Sequence, residues 1–106
     1  MEVFYKGRKH RTIAYGDFNP ETGHLTVKKG SIVSETIAPF RDSKKIRSLR
    51  NGITDESGLL LKDIDFSNPS IAASFVAGYS VNGYLAWHVG KHTKIKDVLS
   101  DMKGKR

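Results

Sequence analysis

Four histidines, a pair of closely spaced aspartates and two serines are the residues of this chain whose types could do covalent chemistry. His88 and His92 stand four apart, a spacing that on a helix would aim both rings at one metal ion. Gly90 lies between them and strand-forming residues precede them. A helical pair is therefore not expected, and solvent exposure or phosphate contact suits His10, His24, His88 and His92 better. Asp63-x-Asp65 would place two carboxylates on one face of a strand. A metal-dependent nuclease needs several carboxylates converging on one or two divalent ions, and no Glu-x-Lys accompanies them anywhere in the chain. Asp42-x-Lys44 reads as ordinary capping and surface chemistry. Ser67 and Ser70 flank a helix-capping position and read as capping groups rather than nucleophiles. No Gly-x-Gly-x-x-Gly, Walker-type loop or Gly-x-Ser-x-Gly occurs. There is no cysteine, hence no thiolate nucleophile, thiolate metal site or disulfide frame. The expectation is a non-catalytic domain without metal or cofactor.

Binding chemistry is easier to assemble. The 106 residues hold 18 Lys+Arg against 11 Asp+Glu, a formal net charge of +7. The excess is clustered. Lys6, Arg8, Lys9 and Arg11 lie near the start; Arg41, Lys44, Lys45, Arg47 and Arg50 share one window; Lys91, Lys94, Lys96, Lys103, Lys105 and Arg106 lie at the end. Clustered cations point to an anionic partner, nucleic acid before others. Lys44, Lys45, Arg47 and Arg50 would hold phosphates, with Arg41 and Lys91 extending the patch. Asn82 and Tyr84 would contact bases. Trp87 reads first as a core anchor.

The elements that must position these residues centre on Phe66–Trp87. Asn68 can cap a helix, Pro69 fits its first position and Gly78 its left-handed close. Between them Ile71, Ala72, Ala73, Phe75, Val76 and Ala77 are apolar nearly all round, so the helix should be buried. Asn82-Gly83 reads as a tight turn, followed by a strand over 84–89 with Leu85, Trp87 and Val89 on one face. Val3-Phe4-Tyr5 reads as a short edge strand, residues 11–28 as a hairpin, and Ile32-Val33-Ser34 as a third strand. Asp42 or Ser43 opens a helix to Asn51, with Ile46 and Leu49 apolar and Lys44, Arg47 and Arg50 as a neighbouring basic stripe. Leu59-Leu60-Leu61 reads as a buried strand. Ile95, Val98, Leu99 and Met102 define a last amphipathic helix, and residues 103–106 a frayed basic tail. The chain reads as a single α+β domain spanning 1–106: a small antiparallel sheet with about three helices packed on it. No apolar run approaches membrane-spanning length, and a cytoplasmic, membrane-free setting is expected.

Phe66-Ser67-Asn68-Pro69-Ser70-Ile71-Ala72-Ala73, then Asn82-Gly83-Tyr84-x-x-Trp87, resembles the signature of a bacterial domain-of-unknown-function family found C-terminal to GIY-YIG nuclease domains. The signature is shared in outline by RAMA (restriction-system adenine-methylase associated) domains. Gly30-Ser31 is similar to that family's Gly-Ser step after the first hairpin. The likeness covers about residues 12–99. Asn68 replaces the usual Ser with capping chemistry intact, and Tyr84 replaces a frequent Trp. Gly30, Ser31, Asn68, Pro69, Ser70, Ala73, Gly78, Gly83 and Trp87 are its motif positions in this chain. The resemblance implies an accessory domain of restriction, modification or DNA-processing systems that contacts DNA, modified DNA included, beside a nuclease or methyltransferase domain or subunit. Two alternatives stand beside it: a protein-interaction module docking a subunit of such a system, and a divalent-metal nuclease using Asp63 and Asp65. Binding through five phosphates would weaken roughly 500-fold between ~50 and ~200 mM salt.

Overall fold

The computed structural model describes residues 1–7, 12–91 and 93–104, the last two by backbone only. His10, His92, Arg8, Lys9, Arg11, Lys105 and Arg106 lie outside the described residues. Six strands form one antiparallel sheet: β1 (Glu2–Lys6), β2 (Ile13–Phe18), β3 (Leu25–Val27), β4 (Ile64–Phe66), β5 (His88–Val89) and β6 (Thr93–Lys94), in the order β4-β3-β2-β1-β5-β6. Among the described residues four helices accompany them: α1 (Ser43–Arg50), α2 (Pro69–Ala77), α3 (Gly83–Ala86) and α4 (Ile95–Gly104). The architecture is α+β. Among the described residues no helix is long and apolar enough to cross a membrane.

Strand alternation sets the two faces of the sheet. Val3, Tyr5, Ala14, Phe18, Leu25, Val27 and Phe66 point into the core, where they meet Ala72, Phe75, Val76 and Trp87. Phe66 and Phe75 lie 5.2 Å apart, and Tyr5 and Trp87 5.9 Å, both in the tilted geometry that aromatic quadrupoles favour. α2 lies over β2, β3 and β4, and α1 packs on α2.

The hairpin formed by β2 and β3 and the helices α1, α2 and α4 follow the sequence pattern. Five expectations are corrected. β1 is not an edge strand: it pairs with β2 on one side and, through Phe4 and His88, with β5 on the other. Residues 32–34 and 59–61 form no ladder. Ile32 bridges Ile13 and Leu59, and Leu60 bridges Thr54, single contacts that let Leu60 be buried and leave Leu61 exposed. Residues 84–89 are not one strand. The Asn82 side chain accepts the Tyr84 N–H, and Leu85 and Ala86 N–H donate to the Asn82 carbonyl, so Asn-Gly starts the helical turn α3 instead of a hairpin. The expected frayed tail begins too early, since α4 continues through Gly104.

Candidate nucleic-acid interface

α1 is positioned by a narrow apolar stripe. Ile46 is fully buried and Leu49 half-buried, which turns Lys44, Lys45, Arg47 and Ser48 to solvent. Asp42 precedes the helix but its side chain makes no capping hydrogen bond. Arg41 is 90 % exposed, its guanidinium 3.6 Å from the Asp42 carboxylate. Beside the helix lies an open depression of about 670 Å³, with Ile37, Lys44, Arg47, Asn51 and Gly52 along its wall and the largely buried Arg50 also bordering it. Lys44 and Arg47, three residues apart, therefore border the depression together, Lys45 is exposed further round the helix, Arg41 lies just before it, and no acidic residue occupies the first turn. A second, larger groove of about 1160 Å³ has the opposite character: Glu35, Asp55 and Glu56 line it with Tyr79.

Arg50 departs from the expected basic stripe. It is 8 % exposed. Its Nε and one terminal nitrogen donate to the Phe75 carbonyl at 3.1 and 2.7 Å. The same nitrogen reaches Val76 O at 3.3 Å and Ser34 Oγ at 3.0 Å, and the other donates to Ser34 O at 2.9 Å. Phe75 and Val76 carry C-terminal carbonyls of α2, which the helix itself leaves unpaired. Arg50 is thus a lateral cap that places positive charge at the negative end of α2. Burial, with Arg47 as a smaller cause, lowers its pKa to about 10. The cause is helical geometry: a three-residue step is not a full turn, and Arg50 lies one turn after the buried Ile46. That i+4 relation was the signal available in the sequence.

The signature residues interlock two segments of backbone. Asn68 Oδ1 accepts the Ile71 N–H at 2.9 Å, and Gly78 closes α2 at φ 80°. Pro69, besides starting α2, offers its carbonyl to Trp87 Nε1 at 3.0 Å. Ser70 Oγ accepts the Gly83 N–H at 3.0 Å. Gly83 has an ordinary φ; it is required by proximity, because a Cβ there would overlap the Pro69 carbonyl. Ala73 and Trp87 are completely buried. Ser31, also buried, holds Tyr15 N–H on its hydroxyl at 2.9 Å, while Gly30 N–H donates to Leu60 O. These motif positions build the scaffold. Ser74 joins them in a role the sequence did not suggest, its Oγ accepting the Val81 N–H at 3.2 Å.

The remaining candidates are dispersed. The Asn82 oxygen is committed to capping α3, and Tyr84 is half-buried against the core. Lys91 sits in the turn between β5 and β6, at the sheet edge opposite the strands that α2 covers. Asp63 accepts the Lys29 N–H at 2.8 Å and lies 3.6 Å from Lys28 Nζ. Asp65 is held by His24 Nδ1 at 2.8 Å and by the Thr26 hydroxyl at 3.1 Å. These hydrogen bonds, from Lys29 and His24 first, lower both carboxylate pKa values. No group of three or more metal-ligating side chains occurs among the described residues.

No curated protein and no solved structure matches the chain. A family model described as "Domain of unknown function (DUF4357)" matches residues 4–99, from the middle of β1 into α4. With the match spanning the sheet, the interlock and the basic helix, the chain belongs to the DUF4357 family of domains.

Proposed function

We propose that this domain is a non-catalytic nucleic-acid-binding accessory module, with DNA as the favoured ligand, of a restriction, modification or DNA-processing system. The observation that carries the reading is α1 and its approach: Arg41, Lys44, Lys45 and Arg47 are all exposed, and Lys44 and Arg47 border an open depression. Exposed cations of this kind can contact phosphates without a deep pocket, and such contacts position a duplex rather than read its sequence. The association with GIY-YIG nuclease or RAMA-containing systems, and with modified DNA, rests on the signature resemblance and belongs to the same proposal.

With Arg50 committed to α2, four cations remain. Neutralising four phosphates should weaken duplex binding roughly 150-fold between ~50 and ~200 mM salt. Fluorescence anisotropy with a labelled 20-bp duplex, with and without N6-methyladenine, tests this. Lys44→Glu/Arg47→Glu should abolish binding with the fold intact by circular dichroism. Salt-independent affinity, or binding unaffected by the double substitution, would overturn the assignment to α1 and turn attention to docking of a protein subunit.

A further inference from the structure

The helices cover one face of the sheet; the other carries an aromatic row. Strand register places Phe4 directly opposite Tyr15 on β2 and opposite His88 on β5. His88 in turn faces Lys94 on β6, and Lys28 N–H donates to Tyr15 O on the other flank. The order across the sheet is therefore Lys94, His88, Phe4, Tyr15, Lys28: three rings between two lysines. Adjacent strands are ~4.8 Å apart, so the row spans ~19 Å. The Phe4 and His88 rings are stacked, with centroids 6.1 Å apart and planes 27° from parallel. His88 Nδ1 bonds the Ala86 carbonyl at 2.9 Å, which fixes the ring's orientation. Cross-strand packing accounts for Phe4 and His88. It leaves Tyr15 half exposed, with 50 % of its surface in solvent in the middle of a sheet.

The flanking rows differ in charge. On one side Lys6 pairs with Ile13; on the other Glu2 faces Asp17, which faces Thr26, which faces Asp65. From this juxtaposition we infer that the open sheet face is a stacking platform for single-stranded nucleic acid. Bases lie on His88, Phe4 and Tyr15, Lys94 meets one flanking phosphate, Lys28 meets the other on exchanging its exposed ion pair with Asp63, and the backbone runs on the Lys6 side, away from the acidic row. Aromatic platforms bind sequence-tolerantly because every base has a π-face. The site is separate from α1, and its failure leaves the reading of α1 standing.

Anisotropy with labelled dT10, rU10 and a 20-bp duplex tests the platform. Tyr15→Ser and Phe4→Thr keep strand-compatible residues and should each weaken dT10 or rU10 binding roughly 10-fold or more, leaving duplex binding unchanged. Comparison of dT10 with rU10 identifies which strand chemistry is preferred. Wild-type protein that binds neither oligomer, or folded variants that bind both as wild type does, would overturn the inference. Should a variant unfold, photocrosslinking of 5-iododeoxyuridine-substituted dT10 to wild-type protein decides. Crosslinks at Phe4, Tyr15 or His88 support the platform; crosslinks confined to other positions refute it.

Discussion

Replacing Arg50 by Met should destabilise the domain without touching a phosphate-binding group. Methionine keeps much of the aliphatic stem but none of the five donor contacts to Ser34, Phe75 and Val76. The Val76 carbonyl retains the Ser34 N–H at 2.8 Å as a partner. The Ser34 and Phe75 carbonyls lose charge-assisted bonds, at about 1–3 kcal/mol for each buried acceptor left unmade. Relief of the guanidinium's desolvation offsets part of this. A net loss of about 2–4 kcal/mol follows, which for a domain of this size lowers Tm by roughly 10–20 °C. Arg50→Lys should fall between, because an ammonium cannot span both carbonyls. Thermal unfolding followed by far-ultraviolet circular dichroism measures the shift, and duplex anisotropy at 15 °C measures binding by the folded fraction. A Tm within 3 °C of wild type, or lost DNA binding in a fully folded Arg50→Met protein, would refute the capping role and return Arg50 to the interface.

Gly83→Ala drives a methyl group into the Pro69 carbonyl and should cost about 4 kcal/mol or more. Gly90→Ala meets open space and carries only the strain of its φ of 77°, about 1–2 kcal/mol; comparable denaturant midpoints for the two would sink the interlock. Trp87→Phe leaves the Pro69 carbonyl without its indole donor and opens a small void, so urea unfolding should show a loss of about 2–3 kcal/mol. Asp55 accepts from the Ser57 hydroxyl and the Leu59 N–H, bonds that lower its pKa. The folded value is depressed, so this stabilisation is present above the ordinary carboxylate pKa and is lost as pH falls through the folded one. The Tm gap between wild type and Asp55→Asn should therefore be full at pH 7 and shrink below about pH 4; a gap constant down to pH 2.5 would contradict the linkage.

Residues whose roles are local were legible before the structure. Asn68, Pro69 and Gly78 delimit α2 by short-range backbone chemistry, and β2–β3 shows its alternation and turn residues plainly. What the sequence hid depends on the opposite partner. Asn82-Gly83 has the composition of a hairpin turn, but the acceptors on Ser70 and Pro69, thirteen and eighteen residues from Gly83 and Trp87, select a helical turn instead. Val3–Tyr5 shows a strand, while its place inside the sheet is decided by His88, far along the chain. At the proposed interface, charge alone singled out Arg41, Lys44, Lys45 and Arg47, all of which are exposed. It could not separate Arg50, whose burial depends on carbonyls of another helix. The aromatic row is not legible in the sequence, because its members come from three strands and only register brings them together.

The central place of β1 has a consequence for how the domain is made. Within this domain β1 is made before its partners and finds β2 almost at once, but its other edge stays open until β5 emerges some eighty residues later. At ~5–20 residues per second that interval lasts several seconds. Through it, the nascent chain carries a three-stranded meander with a bare inner edge. Closure of the sheet is then a late, long-range event, coupled through Trp87 to docking of the signature segment on α2. A ribosome stalled before His88 should hold a species whose β1 edge accepts foreign strands, and resumed synthesis through β5 should extinguish that affinity.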